Sequence, residues 1–254
     1  MTPPVFRKSL PFAERWRLDA EVDGLARLAR AEAIRVPRVL GQGASGGEAW
    51  LELEWLDLHA ADASCDARLG AALARLHRVT GTTYGLERDN AIGAAPQPNA
   101  PCDDWARFWR GQRLGFQLER AADNGHGGRL LERGRRLLER IPAFFAGYRP
   151  QPSLLHGDLW AGNRGMLADG TPVIFDPAVY HGDREADLAM TTLFGGFPRD
   201  FHAAYANAWP LDDGYRVRRD FYNIYHLLNH ANLFAGGYVA QAQEAIERSL
   251  AETG

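Results

Sequence analysis

Lysine is almost missing from this chain: of 29 basic residues among 254, Lys8 alone is a lysine and the other 28 are arginines. Cysteine is nearly as scarce. Cys65 and Cys102 are too few for a disulfide framework or a structural zinc site, and both are expected as reduced thiols. Charge of either sign is not in excess, since the formal net charge is -3, which gives no sign of a basic surface that would gather nucleic acid as a main partner. Long apolar runs are absent too. Stretches such as residues 141–146 fall far short of the ~20 residues of a bilayer span, which excludes a membrane helix. Residues 1–10 carry Arg7 and Lys8 but no apolar core of a secretory signal, so the expected location is cytoplasmic. With 46% apolar and 24% charged residues, disordered, collagen-like and coiled-coil classes are disfavoured. The length suits one large domain or two modest ones.

The lone lysine has chemical meaning. An ammonium is a compact point charge on a flexible stem, whereas a guanidinium is a wide planar fork, so a narrow phosphate site accepts the first and excludes the second. Where arginine fills nearly every other cationic position, Lys8 either survived by chance or is required.

Residues 4–10 read as a short strand, and Pro11 is placed to open a helix. Over residues 12–30, Leu18, Val22, Leu25, Leu28 and Ala29 recur at helical spacing. Glu21, three after Leu18 and four before Leu25, falls on or beside that buried stripe. Strands are expected at 36–40 and 49–56, separated by a glycine-rich turn at 41–47. Beyond Asp57 the pattern becomes helical, at 69–79, 105–122 and 129–148, with a polar, proline-containing loop over 80–102 that is long enough to be functional or partly mobile. A hairpin turning at Asp169-Gly170 ends at Asp176-Pro177, and helices broken at Gly195-Gly196, Pro210 and Gly236-Gly237 follow from Glu185. A small lobe of residues 1–56 and a larger one of 57–254 are expected, in the α+β class.

The string HGDLWAGN, from His156 to Asn163, sets an aspartate two residues after a histidine and an asparagine five residues after that aspartate. A second aspartate, Asp176, closes the hairpin. Phosphoryl transfer from MgATP needs metal ions held between phosphate oxygens and a carboxylate that orients and deprotonates the attacking hydroxyl. Two aspartates and an asparagine are the oxygen ligands that suit magnesium. An isolated string of this kind serves equally as a polar turn satisfying backbone donors; Asp176 and the upstream Lys8 favour a kinase.

The runs HGDLWAGN, IFDPAVYHGDREADLAMTTLFGGFP and YHLLNHANLFAGGY, with VFRKS, EVDGL, LARLH, YGLERDNAIG and PQPN, resemble the fructosamine kinase (ketosamine-3-kinase) family over nearly the whole chain. That family has the two-lobed fold of protein kinases and aminoglycoside phosphotransferases. The resemblance implies ATP-dependent phosphorylation of the third-carbon hydroxyl of ketosamines, glycation adducts of small amines or proteins, whose phosphorylated products break down to regenerate the amine. The implied role is protein repair. It further implies Asp158 as the catalytic base, Asn163 and Asp176 as Mg2+ ligands, and Lys8 on the nucleotide phosphates with Glu21 as its helix partner. Asp19 is a rival partner. Glu54 and Leu56 fall where the backbone of the family's hinge meets adenine. Asp187 and His156 would hold the catalytic loop as structural residues. Trp160, Asp183, Arg184, His226, Asn229 and His230 belong to family motifs and are candidates for the substrate pocket, with packing the competing role for Trp160. Alternatives are a phosphotransferase for another alcohol, of aminoglycoside or choline type, and a non-catalytic relative.

One departure stands out. In kinase-like enzymes two strands and a glycine-rich turn precede the lysine strand and cover the phosphates, but seven residues precede Lys8 here and the 41–47 glycines come after the helix. A late-annotated start, or a shortened relative with weakened nucleotide binding, is the expectation from this.

Overall fold

The computed structural model describes residues 4–253, so residues 1–3 of the expected small lobe and of the amino-terminal segment lie outside the described residues. Strand β1 (Val5–Pro11) leads through a 3-10 turn at Phe12–Glu14 into helix α1 (Arg15–Arg30), as the apolar spacing predicts. Leu18, Leu25 and Leu28 are buried on one stripe of α1, each leucine contributing about 1.5–3 kcal/mol from its removal from water. Strands β2 (Val39–Ser45) and β3 (Glu48–Glu54) complete an antiparallel sheet of order β1-β3-β2, with Lys8 opposite Leu51.

The expected turn at 41–47 is instead mostly strand. The reversal is confined to Gly46-Gly47, both with positive φ (62° and 84°), a two-residue hairpin turn that only glycine enters without strain. Gly43 lies beneath the Trp50 indole, where a Cβ would come within 2.7 Å of the ring, so glycine here makes room for a cross-strand aromatic.

Helix α2 (Ala63–Leu76) starts six residues before the expected 69, because Asp62 caps it by accepting the Cys65 N–H at 2.7 Å. The 80–102 segment is built rather than loose: β4 (Asn90–Ile92) and β5 (Ala95–Gln97) form a small hairpin. Helix α3 (Trp105–Phe108) runs through a π-helical turn, Trp109–Gly115, into α4 (Phe116–Asp123), and α5 (Arg129–Phe144) follows. Two short antiparallel pairs, β6 (Ser153–Leu155) with β9 (Tyr180–Gly182) and β7 (Arg164–Met166) with β8 (Pro172–Ile174), carry the polar loops of interest. Helices α6 (Arg184–Met190), α7 (Arg199–Ala208), α8 (Tyr215–Phe234) and α9 (Gly237–Ala251) finish the larger body. Among the described residues no helix is long and apolar enough to cross a membrane.

The two parts meet through Gly24 of α1, which packs on Pro177, and through a parallel bridge between Arg35 and Val173. Within the larger body, α2 crosses α7 so closely that a Cβ on Gly70 would lie 2.2 Å from the Phe201 carbonyl oxygen. Gly70→Ala is therefore expected to lower unfolding free energy by about 1–3 kcal/mol, whereas Gly111→Ala, with open space around its Cβ, should leave it unchanged or slightly raised. Urea unfolding of the two variants beside the parent checks the contrast.

Candidate active site

The loop between β6 and β7 carries His156 to Asn163. Its path is set by Asp187 of α6, whose carboxylate accepts the backbone N–H groups of His156 (2.7 Å) and Gly157 (2.8 Å) and the His77 Nε2–H (3.2 Å). Burial alone would raise the Asp187 pKa, but these donors outweigh it and hold the carboxyl below the usual range. Gly157 has φ 83° and would place a Cβ 2.0 Å from the Ala178 carbonyl oxygen, so no other residue fits there. His156 is fully buried and kept neutral by that burial; its Nδ1 accepts the Asp158 N–H (3.3 Å), which leaves Nε2 to donate to the Phe175 carbonyl (3.0 Å). His156 and Asp187 thus hold the loop and touch nothing in the cleft.

Asp158 projects from this loop. Its pKa is pushed up to about 7, chiefly by burial and then by the negative charges of Asp176 and Asp187, with the Asn163 hydrogen bond acting in the opposite direction. Asn163 Nδ2 donates to the Asp158 carbonyl oxygen (2.9 Å) and leans on its carboxylate (3.4 Å), which turns the Asn163 side chain toward Asp158 and leaves its Oδ1 out of those bonds.

Asp176 follows β8 in the left-handed region, at φ 55°, a conformation that a non-glycine residue holds at a cost of order 1 kcal/mol. From there it reaches across to β1. Lys8 Nζ donates to both oxygens of Glu21 (2.8 and 3.0 Å) and to Asp176 Oδ1 (2.5 Å). Burial would depress the ammonium, yet the two carboxylates more than compensate and raise its pKa. For Glu21 burial prevails over the pull of Lys8, and its pKa is raised. Asp19, the rival partner, pairs instead with Arg15 on the exposed face of α1. The structure therefore brings Lys8, Glu21 and Asp176 into contact, with Asp158 and Asn163 on the neighbouring loop.

Two hollows flank the Lys8–Asp176 contact. One, of about 370 Å³, lies among Phe6, Leu53, Trp55, Leu56 and Phe175; the other, of about 350 Å³, among Lys8, Arg17, Glu21 and Ala91, and Asp176 borders both. Glu54 and Leu56 line the first. The Glu54 carboxylate is turned away onto Arg35 (2.5 Å) and Arg38 (3.1 Å), and its N–H is bonded to the Arg38 carbonyl.

Beside the Asp158 loop stands an aromatic wall. Trp160, 36% exposed, stands edge-on to Phe194 (centroids 6.4 Å apart), and Phe194, itself at φ 47°, packs on His230 at 4.3 Å. His226 lies one turn earlier on α8, buried, its Nδ1 4.0 Å from Asp158 Oδ1. The remaining substrate candidates are not brought to the cleft. Asp183 caps α6 and accepts the Tyr222 (2.6 Å) and Tyr148 (3.1 Å) hydroxyls; Arg184 donates to the Trp209 and Pro210 carbonyls; Asn229 Oδ1 accepts from Gln117 Nε2 (3.2 Å). Short-range motif membership could not separate these from residues that face the site, because alternate faces of one helix or loop carry them.

Sequence reasoning missed a buried amide network. Asn90 Nδ2 donates to the Val179 carbonyl (2.7 Å) and Gln97 Nε2 to the Ala178 carbonyl (3.0 Å), so the β4–β5 hairpin grips the chain just after Asp176. Asn99 joins it to Arg113, a buried guanidinium that donates to Asn99 Oδ1 and the Pro98 carbonyl and stacks on the Tyr180 ring at 4.1 Å. The only advance sign was three amides in the NAIG and PQPN strings.

Residues 4–252 match the family described as fructosamine kinase. The chain is 43% identical over 243 residues to a protein named as a probable ketoamine kinase in Synechocystis, covering 94% of this chain and 80% of that one. It is 37% identical over 236 residues to the chloroplastic protein-ribulosamine 3-kinase of Arabidopsis thaliana, covering 91% and 72%. A crystal structure from Haemophilus somnus, provisionally designated a fructosamine-3-kinase, superposes with a TM-score of 0.90 at 33% identity, covering 98% of this chain and 84% of that one.

Asp187→Asn should lower stability at neutral pH by about 3 kcal/mol, because it leaves buried donors poorly matched. A depressed carboxyl contributes stability that is complete above the unfolded pKa of ~3.9 and is lost as pH falls through the folded value. The gap between parent and variant in urea titrations should accordingly narrow below about pH 4.

Proposed function

The chain belongs to the fructosamine kinase family, and from that premise we propose how its own residues carry out ATP-dependent phosphorylation of a ketosamine hydroxyl. Asp158 is the base. It accepts the proton of the attacking hydroxyl, the hydroxyl oxygen bonds to the γ-phosphorus, and ADP departs with the electrons of the broken P–O bond. Burial that raises the pKa of this carboxyl suits a group that must take up a proton near neutrality. Lys8 binds the nucleotide phosphates, with Glu21 fixing its ammonium at the cleft. The apolar hollow by Phe6, Leu56 and Phe175 receives the adenine, with the Glu54 carbonyl at its edge.

The donor set fits magnesium: a carboxylate on Asp176, half exposed at the cleft, and an Asn163 carbonyl oxygen supply hard oxygen ligands. Among the described residues no three His, Cys, Asp or Glu side chains form a cage, which accords with an ion that takes its other ligands from phosphates and water. When bound it would neutralise charge on the β- and γ-phosphates. Trp160 and His230 form the wall against which the sugar of the acceptor lies, and the division between a nucleotide lobe and a catalytic lobe falls at residues 56/57. The acceptor is a ketosamine of the fructosamine or ribulosamine kind, phosphorylated at the 3-hydroxyl and free or attached to a protein.

The observation that carries this reading is the contact of Lys8 with both Glu21 and Asp176, next to Asp158 and Asn163. Asp158→Asn should reduce ketosamine phosphorylation at least 10³-fold while retaining the thermal stabilisation given by MgATP, and chelation of the divalent ion should abolish turnover in the parent. A panel of ketosamines, aminoglycosides and choline with ATP decides the acceptor class; turnover of the last two in preference to ketosamines would refute it.

A further inference from the structure

Resting on that reading, one polar atom of the cleft is left without a role. His226 is 4% exposed, and its Nδ1 has no hydrogen-bond partner although it lies 4.0 Å from Asp158 Oδ1. At that distance the two atoms are not hydrogen-bonded. Nor are they an ion pair: burial first, then His230 and Arg113, drive the His226 pKa down to about 3 against the opposing pull of Asp187, so the ring is neutral. An orphaned buried polar atom is destabilising, and here it borders the base. The spacing has a geometric use. Two atoms at this spacing can share one oxygen about 2.8 Å from each, at an angle of roughly 90°, once a small side-chain shift uncovers Nδ1, which solvent does not reach here.

We propose that His226 Nδ1–H is a second contact on the acceptor, donating a hydrogen bond to the same sugar hydroxyl that gives its proton to Asp158. The hydroxyl then donates one hydrogen bond and accepts another, which fixes the lone pair that attacks phosphorus. As the O–H proton passes to Asp158 the oxygen gains negative charge, and the bond from His226 strengthens at that moment. His226 neither gains nor loses a proton. It selects an acceptor whose reacting hydroxyl approaches from the α8 side, and it favours the transition state over the ground state.

Two substitutions separate this from a packing role. His226→Phe keeps the ring volume and removes Nδ1; His226→Asn places an amide donor near the former Nδ1. With a ketosamine as acceptor, kcat of His226→Phe should fall about 10- to 100-fold, the KM for ATP should stay within a factor of two, and His226→Asn should recover most of the loss. Unfolding midpoints of both variants are measured alongside. Equal impairment of the two variants, or a kcat for His226→Phe within a factor of two of the parent, overturns the proposal. Failure of the ketosamine reading has a different signature, absence of ketosamine turnover by the parent, and the same comparison is then run on whichever alcohol the parent phosphorylates, with the same outcomes deciding it.

Discussion

A single ammonium shared by two carboxylates organises this molecule. Lys8 on the small sheet is held by Glu21 of the neighbouring helix and by Asp176 of the larger body, so one point charge joins two consecutive segments to a third that lies 168 residues further along the chain. With its carboxylates ionised, the cluster of Lys8, Glu21 and Asp176 carries one more negative than positive charge. Such a site attracts cations, and it repels a bare triphosphate unless metal charge accompanies it. A guanidinium could not replace the ammonium easily: contacts of 2.8 and 2.5 Å to carboxylates on different segments converge on one nitrogen, a geometry that a planar fork spreads over several. The lone lysine in an arginine-rich chain is thereby explained by shape as well as charge.

The second organising group is Asp187. It never faces the cleft, yet its two oxygens fix the backbone from which Asp158 projects, and His77 and Tyr205 behind it fix Asp187 in turn. Asp158, the proposed base, is positioned through the backbone of its loop, while its own carboxylate takes only the long contact from Asn163. This separation of holding from projecting explains why His156, two residues before Asp158, is a neutral scaffold residue.

Much of this was legible in the sequence because it rests on local pattern. The stripe Leu18, Leu25, Leu28 defines α1 and places Glu21 at its border, where it meets Lys8; the Asp169-Gly170 turn defines the hairpin that presents Asp176. What was illegible depends on residues that meet only in three dimensions. Gly41 and Gly43 have the composition of a turn, and only the Trp50 indole from the next strand makes them strand residues. The start of α2 depended on one capping carboxylate, Asp62. Asp183, Arg184 and Asn229 sit in the same motifs as residues facing the cleft, but tyrosine hydroxyls, carbonyls and an amide inside the larger body claim them.

The amide network changes what can move. Asn90 and Gln97 clamp the β4–β5 hairpin to the backbone of Val179 and Ala178, Asn99 and Arg113 anchor it from behind, and peeling it away would strand a buried guanidinium whose hydrogen-bond partners are neutral oxygens. The hairpin is consequently a fixed jamb, not a door. The three-stranded sheet is tied to the larger body more lightly, by the packing of Gly24 on Pro177, the Arg35–Val173 bridge and the Lys8–Asp176 contact.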